Sequence, residues 1–322
     1  MNETPSLPTR RQTKTYLKEL FATRGLSPRT RYGQNFLIDL NLHRVILDAA
    51  RLDAHDLVLE VGAGTGGLTV QLALSAGAVV AVEIDAGFAR LAAEAVSELP
   101  NVKLLAVDIL KRKNQLNPVV LEAIASSLEE HGLTRLKLVA NLPFSVATPA
   151  ISNLLLTDLP IASMTVTIQK ELADRLVARP GTKEYGSLAV WVQSVAHVEV
   201  IRLLPPNVFW PRPKVTSAIV QIVPDSELRS RIHDVAAFHR FVRGLFLHRR
   251  KVLRRALVST FRDSMNKADA DRFLIAHGLK TDVRAEELSV EKLIELGNDL
   301  ESRMRSESAD RVRETPRPSA EP

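Results

Sequence analysis

Residues 58–69 read VLEVGAGTGGLT. An apolar run ends in a glycine-rich turn, and an apolar, helix-spaced segment follows. That is a strand entering a loop and then a helix. Glycines at 62, 64, 66 and 67 remove Cβ atoms where backbone must pass close to a ligand. The continuation AVVAVEID (78–85) ends a second apolar run at Glu83. An acid at that strand end is placed to accept hydrogen bonds from both hydroxyls of a ribose. Gly62, Gly64 and Gly67 also satisfy G-x-G-x-x-G, so a dinucleotide site stays open, as does an ordinary strand–turn–helix. Charge leans away from the dinucleotide. Glu60 stands two residues before Gly62, where a pyrophosphate would meet a carboxylate. S-adenosylmethionine (SAM) has no phosphate and carries a sulfonium and an ammonium group, so it tolerates that acid.

Outward from this stretch, strand-like and helix-like segments alternate: LVLEV, LTVQLALS, AVVAVE, AGFARLAAEAVSEL and VKLLAVD. This βαβαβ pattern predicts an α/β fold with a parallel sheet and right-handed crossovers. Gly62, Glu83 and Asp108 then reach one sheet edge, the carboxyl ends, where open α/β sheets bind ligands. Asp108 can accept from an exocyclic adenine amine, or simply cap the segment after it. Residues 109–135 are polar with one helical stretch. LKLVA (136–140) is a fourth strand, SMTVTIQ (163–169) a fifth, and 185–205 runs into another. Pro211 and Pro213 bar helix and central-strand positions at 211–213, and VTSAIVQIV after them reads as an edge or closing strand.

The fourth strand ends in NLPF, Asn141, Leu142, Pro143 and Phe144. The exocyclic amine of adenine is a poor nucleophile, because its lone pair is delocalised into the ring. Acceptors on its two hydrogens localise that pair, and the Asn141 side-chain oxygen and the Leu142 carbonyl are candidates. Pro143 stiffens the turn, and Phe144 can stack on a flipped-out base. Methyl transfer from a sulfonium then needs positioning and electrostatics and no strong general base.

Composition bounds the rest. The chain has 322 residues, 45% hydrophobic and 25% charged, with no cysteine. Disulfides, Cys-ligated zinc and thiol nucleophiles are excluded, and no metal site is expected. Lys and Arg total 43 against 37 acidic residues, a net charge of +6. That balance leans toward a polyanionic partner. No apolar run is long enough for a membrane span, and the first residues lack a secretory apolar region.

Residues 1–30 read as a basic leader, with Leu17, Leu20 and Phe21 able to give a short helix one apolar face. The aromatic and basic residues of VFWPRPK (208–214) suit either a nucleic-acid surface, through Arg212 and Lys214, or a rigid connector with Phe209 and Trp210 in the core. Residues 238–257, FHRFVRGLFLHRRKVLRRAL, have helical spacing on a single helix whose other faces are nearly all cationic. Arg249, Arg250, Lys251 and Arg254 are the expected phosphate contacts. Residues 301–322 are charged and end in a Pro-containing stretch, and read as a disordered tail.

The chain resembles the ribosomal RNA adenine N6,N6-dimethyltransferases, the KsgA/RsmA family. The resemblance rests on GQNFLID (33–39), LEVGAGTGGLT (59–69), AVEID (81–85), AVDIL (106–110), NLPF (141–144), YGSLAVWVQ (185–193), VFWPRPKVTSA (208–218), LFLHRRKVLRRAL (245–257) and RAEELSVEKLIEL (284–296). It implies a Rossmann-like SAM-dependent methyltransferase domain over 31–206 and a small helical RNA-binding domain over 207–300. It implies dimethylation of two adjacent adenosines in the 3′-terminal hairpin of 16S rRNA, within the 30S subunit or its precursor, by a cytoplasmic protein. Nothing in the sequence demands more than a monomer. By matching position, SAM contacts fall on Asn35, Leu37, Gly62, Glu83, Asp108 and Asn141. Asn35 and Leu37 come from the resemblance alone. Two departures stand out: Phe144 and Ser145 replace the family's common Tyr and Asn, and the segment from Asp108 to Asn141 is longer than usual. Rival expectations are an Erm-type enzyme acting on large-subunit rRNA, a non-catalytic assembly factor and, more distantly, a dehydrogenase.

Overall fold

A computed structural model describes residues 12–29, 33–247, 249, 251–262 and 264–314. Two compact units emerge. One runs up to Asp174 and returns for His197–Pro224; the other takes Arg175–Ala196 and the chain from Asp225 onward.

The first unit begins with α1 (Lys14–Arg24), β1 (Phe36–Leu37) and α2 (Leu40–Ala50). The alternating core follows as β2 (Asp56–Val61), α3 (Gly67–Ser75), β3 (Ala78–Val82), α4 (Ala86–Ala95) and β4 (Val102–Leu105). A short hairpin, β5 (Leu110–Arg112) and β6 (Gln115–Leu116), precedes α5 (Pro118–Glu130) and β7 (Arg135–Asn141). Then come α6 (Ala147–Leu155), β8 (Ile161–Gln169) and α7 (Lys170–Leu176), in which the division between units falls. After α8 (Ser187–Gln193) the chain adds β9 (Ala196–Leu204), β10 (Phe209–Trp210) and β11 (Ser217–Pro224).

Among the described residues, seven strands join in the order β4-β3-β2-β7-β8-β11-β9. Strands β4, β3, β2, β7 and β8 run parallel, and β11 is antiparallel to β8. The apolar runs explain this: every residue of β2 and β3 is buried, as a parallel strand covered on both faces requires. Val58, Val79, Ala81 and Val139 share one core with Leu72, Ile46 and Ile219. Asp85 caps α4 by accepting from the Gly87 and Phe88 amides, and Asn117 caps α5 ahead of Pro118. At the amino ends of the strands, Asp56 is fully buried and ion-paired to Lys137 and Arg135, each at 2.9 Å. Lys137 also donates to the carbonyls of Ala50 and Arg51.

The second unit is helical. Beyond α8 it holds α9 (Ser226–Ser230), α10 (Val235–Phe246), α11 (Leu253–Thr260), α12 (Lys267–Ala276) and α13 (Val290–Glu314). Phe238, Phe241, Leu257, Phe273 and Leu293 are its buried anchors.

Four expectations change. The segment 217–224 is neither an edge nor part of the helical unit: β11 lies between β8 and β9, so the boundary at 206/207 fails and the second unit instead claims 175–196. The leader reading of 1–30 fails over α1, whose Leu17 and Phe21 are buried against Phe88 and Leu91; Arg10 and Arg11 lie outside the described residues. The single cationic helix over 238–257 is two helices. Leu253 donates to the Val283 carbonyl at 2.7 Å and Val252 bridges Arg284, which ends the first helix before 252. The run of four polar residues, 248–251, between Leu247 and Val252 was the available sign. Finally, the tail over 301–322 is helical to Glu314, where i,i+4 pairs of Arg303 with Asp299 and Arg305 with Glu301 support α13; residues 315–322 lie outside the described residues.

Candidate functional site

A cavity of about 250 Å³ opens at the carboxyl ends of β2, β3, β4 and β7. Each strand delivers something to it. From β2 comes the glycine loop, whose Gly62 and Ala63 amides donate to the Val82 carbonyl at 2.8 and 3.1 Å. Gly62 (φ +87°) and Gly64 (φ +57°) adopt left-handed backbone. A Cβ on Gly62 would stand 2.9 Å from the Pro143 ring, and one on Gly64 would stand 2.9 Å from the Phe36 ring. Glycine is required at both, for conformation and for space.

From β3 comes Glu83. Its Oε2 accepts from the Gly64 amide at 2.8 Å and its Oε1 from the Asp85 amide at 2.9 Å, so the acid is locked to the glycine loop. Burial raises its pKa from the ordinary carboxylate value, while the two amides pull the other way. From the turn after β4 comes Asp108, three residues past the strand end. Its carboxylate accepts from the Leu110 amide and its carbonyl from the Asn117 side chain, both at 2.9 Å.

Asn141 ends β7 and lines the same cavity. Its Nδ2 donates to the Asn35 carbonyl at 2.8 Å. That bond commits the amino half of the amide to the protein, so the half able to act on an incoming amine is the carbonyl oxygen. Pro143 and Ser145 also line the cavity. Leu142 is buried, and its amide donates to the Thr167 carbonyl at 3.1 Å.

The structure thus gathers Asn35, Gly62, Glu83, Asp108, Asn141 and Pro143 around one space. It does not bring Leu37 or Phe144 there. Leu37 is buried in the core, and Phe144, half-buried, is not part of the lining. The sequence reading omitted Phe36, Ile84 and Ile109 from the site, and all three line the cavity. A sign was available for two of them. In AVEID and AVDIL an isoleucine directly follows the strand-end acid, and Ile84 stays 41% exposed despite its apolar side chain.

Glu60 requires a correction. It is fully buried on β2 and does not line the cavity, and burial raises its pKa to about 8. It is protonated at neutral pH, so it neither repels a pyrophosphate nor attracts a sulfonium. The charge that bears on the ligand is that of the lining itself, which holds Glu83 and Asp108 and, among the described residues, no Lys or Arg. Such a space fits a phosphate-free, cationic ligand with hydroxyls.

Comparison with known proteins agrees. Residues 25–301 match the family model described as ribosomal RNA adenine dimethylase. The chain belongs to the ribosomal RNA adenine dimethylase family. The chain is 39% identical over 284 residues to a ribosomal RNA small subunit methyltransferase A from Geobacillus thermodenitrificans, spanning 88% of this chain and 94% of that one. It is 37% identical over 300 residues to one from Ligilactobacillus salivarius, spanning 93% and 97%. Among solved structures, a dimethyladenosine transferase from Plasmodium falciparum superimposes with a TM-score of 0.65 at 21% identity, covering 83% of this chain and 97% of that one. The 23S rRNA methyltransferase ErmE gives 0.56 at 22%, covering 83% and 100%. These confirm the Rossmann-like fold. This dimethylase is therefore an rRNA adenine methyltransferase, and the dehydrogenase reading of the glycine loop falls.

The dimethylase's expected RNA contacts divide. Arg212, Lys214 and Lys251 are exposed. Arg249 is engaged within its own unit: it pairs with Glu286 and donates to the carbonyls of Thr182 and Lys183. Arg254 pairs with Asp271 at 3.1 Å. Arg250 lies outside the described residues. Sequence spacing alone could not separate free from paired cations, because the partners lie 17 to 67 residues away.

Glu60 also carries a stability prediction. A carboxyl protonated in the folded state and ionised when unfolded binds fewer protons on unfolding, so its contribution to stability falls as pH rises from about 4.5 toward about 8. Glu60→Gln is expected to flatten that decline and to be more stable than wild type at pH 8, with SAM affinity little changed. Parallel urea-unfolding curves at pH 5 and pH 8 would check it; equal slopes against pH in both proteins would contradict a neutral buried Glu60.

Proposed function

We propose that this dimethylase transfers methyl groups from SAM to the N6 amines of two adjacent adenosines in the 3′-terminal hairpin of 16S rRNA, within the 30S subunit or its precursor. The observation that carries the reading is Asn141, held by Asn35 in the wall of an acid-lined cavity with its carbonyl oxygen available to an amine. The names of the small-subunit relatives support the choice of substrate.

When bound, SAM supplies an electrophilic methyl group on a sulfonium. The chain's own residues do the rest. Glu83 binds the ribose hydroxyls, since each carboxylate oxygen keeps a lone pair beyond the one given to a backbone amide. Asp108 accepts from the adenine amine of the donor, and Ile84 and Ile109 give that flat ring apolar walls. The bonds to Gly64, Asp85 and Leu110 hold both acids in place before any ligand arrives. Asn141 and the Leu142 carbonyl accept from the target amine, localising its lone pair. Phe144, outside the donor cavity and half-exposed, stacks on the flipped base. Phe144→Ala is expected to lose most turnover and keep SAM affinity, read by calorimetry beside a methylation assay. No metal is invoked. The described helices include none long and apolar enough to cross a membrane, and we take the protein to act as a cytoplasmic monomer.

Of the expected RNA contacts, Arg212, Lys214 and Lys251 are exposed and open to RNA phosphates. Changing Lys214 and Lys251 together to Glu should weaken small-subunit binding and reduce the slope of log affinity against log salt by about 2, one per lost phosphate contact. Filter binding between 50 and 200 mM salt reads it directly, and an unchanged slope would return both residues to the solvated surface.

The deciding experiment incubates the protein with SAM and small subunits lacking the modification, followed by nuclease digestion and mass spectrometry. N6,N6-dimethyladenosine in the 3′ fragment is expected. Product only on large-subunit rRNA would favour the Erm-type reading, whose fold this chain shares; product on neither would favour an assembly factor.

A further inference from the structure

The amino-terminal helix α1 and the residues that flank it, Gln12 and Leu26, contact one cavity wall, Phe36, and two stretches that adjoin the cavity, the glycine loop and the start of α4. On its inner face Phe21 sits edge-on to Phe36 (ring centroids 5.3 Å) and to Phe88 (5.1 Å), and Trp210 closes the group at 5.4 Å. Phe36 is itself a cavity wall, and its ring is what a Cβ on Gly64 would strike. Just before the helix, Gln12 reaches the glycine loop: its Oε1 accepts from the Thr65 hydroxyl at 2.5 Å, and its amide stands 2.6 Å from the place of a Cβ on Gly67. At the other end, Arg24 makes a two-pronged pair with Glu94 on α4 at 2.8 and 2.6 Å. Leu26 covers Gly87, at the start of α4. That helix begins at the Asp85 cap, whose amide holds Glu83.

Phe36, the Gly64–Thr65 turn and the Glu83–Asp85 segment come from three separate stretches of chain. Packing alone would need α1 to cover one apolar surface. Here Phe21 meets Phe36, Gln12 before the helix meets the glycine loop, and Arg24 and Leu26 meet α4, which starts at the Asp85 cap beside Glu83. We propose that α1 is a clasp on the methyl-donor cavity, with Phe21 the positioning residue that seats Phe36 against the glycine loop. Docking of α1 and binding of SAM then strengthen each other, and by linkage the two effects are equal in size. The clasp acts on donor affinity. It has no contact with Asn141 or Pro143 through these residues, so the transfer step is spared once the donor is bound. This inference rests on the reading of the cavity as a SAM site.

The test uses the full chain and two readouts. In calorimetry, Phe21→Ala should raise the Kd for SAM roughly tenfold, Phe21→Leu should recover most of that loss, and kcat at saturating SAM should change by less than about twofold. In wild type, SAM should slow amide hydrogen exchange across 14–24, a measurement that needs no variant and so survives any folding defect in Phe21→Ala. A Phe21→Ala Kd within twofold of wild type, or exchange over 14–24 that ignores SAM, would overturn the clasp while leaving the donor reading intact. Absence of SAM binding to the wild-type chain would overturn both.

Discussion

Asn141→Ala is expected to lower turnover on small subunits by about 10²–10³-fold, the usual cost of removing one preorganised hydrogen-bonding group that acts as charge develops. The target amine must begin with its lone pair in the ring and end with it on the incoming methyl. The Asn141 oxygen favours that redistribution, and its value depends on being held still. The Nδ2 bond to the Asn35 carbonyl does the holding. Loss of this side chain leaves β7 intact, because the strand is fixed by its parallel pairing to β2 and β8. Its amide and carbonyl are unaffected by the change. Thermal stability should therefore stay near wild type while single-turnover methylation collapses, and SAM affinity should fall far less than the rate. Asn141→Asp keeps an acceptor and gives up the donor to Asn35, so it should fall between the two. A rate within tenfold of wild type in the alanine variant would remove Asn141 from the chemistry.

The largest stability effect is expected at the opposite end of the sheet. Asp56 is wholly buried, and its charge is balanced by Lys137, itself nearly buried, and by the half-exposed Arg135. Asp56→Ala leaves the Lys137 ammonium with two carbonyls and no counter-ion. Breaking one side of a buried pair costs about 3–5 kcal/mol, a large share of the about 5–15 kcal/mol that holds a domain together. Asp56→Leu combined with Lys137→Met removes both charges and should recover most of the loss. Urea unfolding of the single and double variants would show it. Equal destabilisation by both would mean that volume, and not the uncompensated charge, sets the cost.

Much of the first unit was legible because its signals are local. Apolar runs of five or six residues alternating with helix-spaced segments fix the parallel strands, and glycine or polar residues at or just past their ends mark Gly62, Glu83, Asp108 and Asn141. What escaped was whatever depends on partners remote in sequence. Glu60 looked like a site acid because it stands two residues before Gly62, yet β2 is covered on both faces and buries it. β11 looked like an edge or closing strand because VTSAIVQIV alternates, and its place between β8 and β9 depends on pairing partners that alternation does not reveal. The paired states of Arg249 and Arg254 depend on Glu286 and Asp271, and no spacing rule reaches that far. α1 was half legible: Leu17 and Phe21 gave it a face, but nothing in the sequence told where that face would rest.

The hairpin between Asp108 and α5 is closed off beside an acid of the cavity. Asp108 is tied at both its flanks, to the Leu110 amide and to the Asn117 side chain, and the Asn117 amide returns to the Ile109 carbonyl at 2.9 Å. The loop is closed at its base, and its tip, Lys113 and Asn114, is exposed, with the Lys113 carbonyl accepting from Asn153 on α6 at 3.2 Å. Added length at the tip therefore leaves the acid where it is. That makes the side chain of Asn114 a natural place to attach a fluorophore or an affinity tag to this enzyme, with Asp108 insulated from it by the closed base.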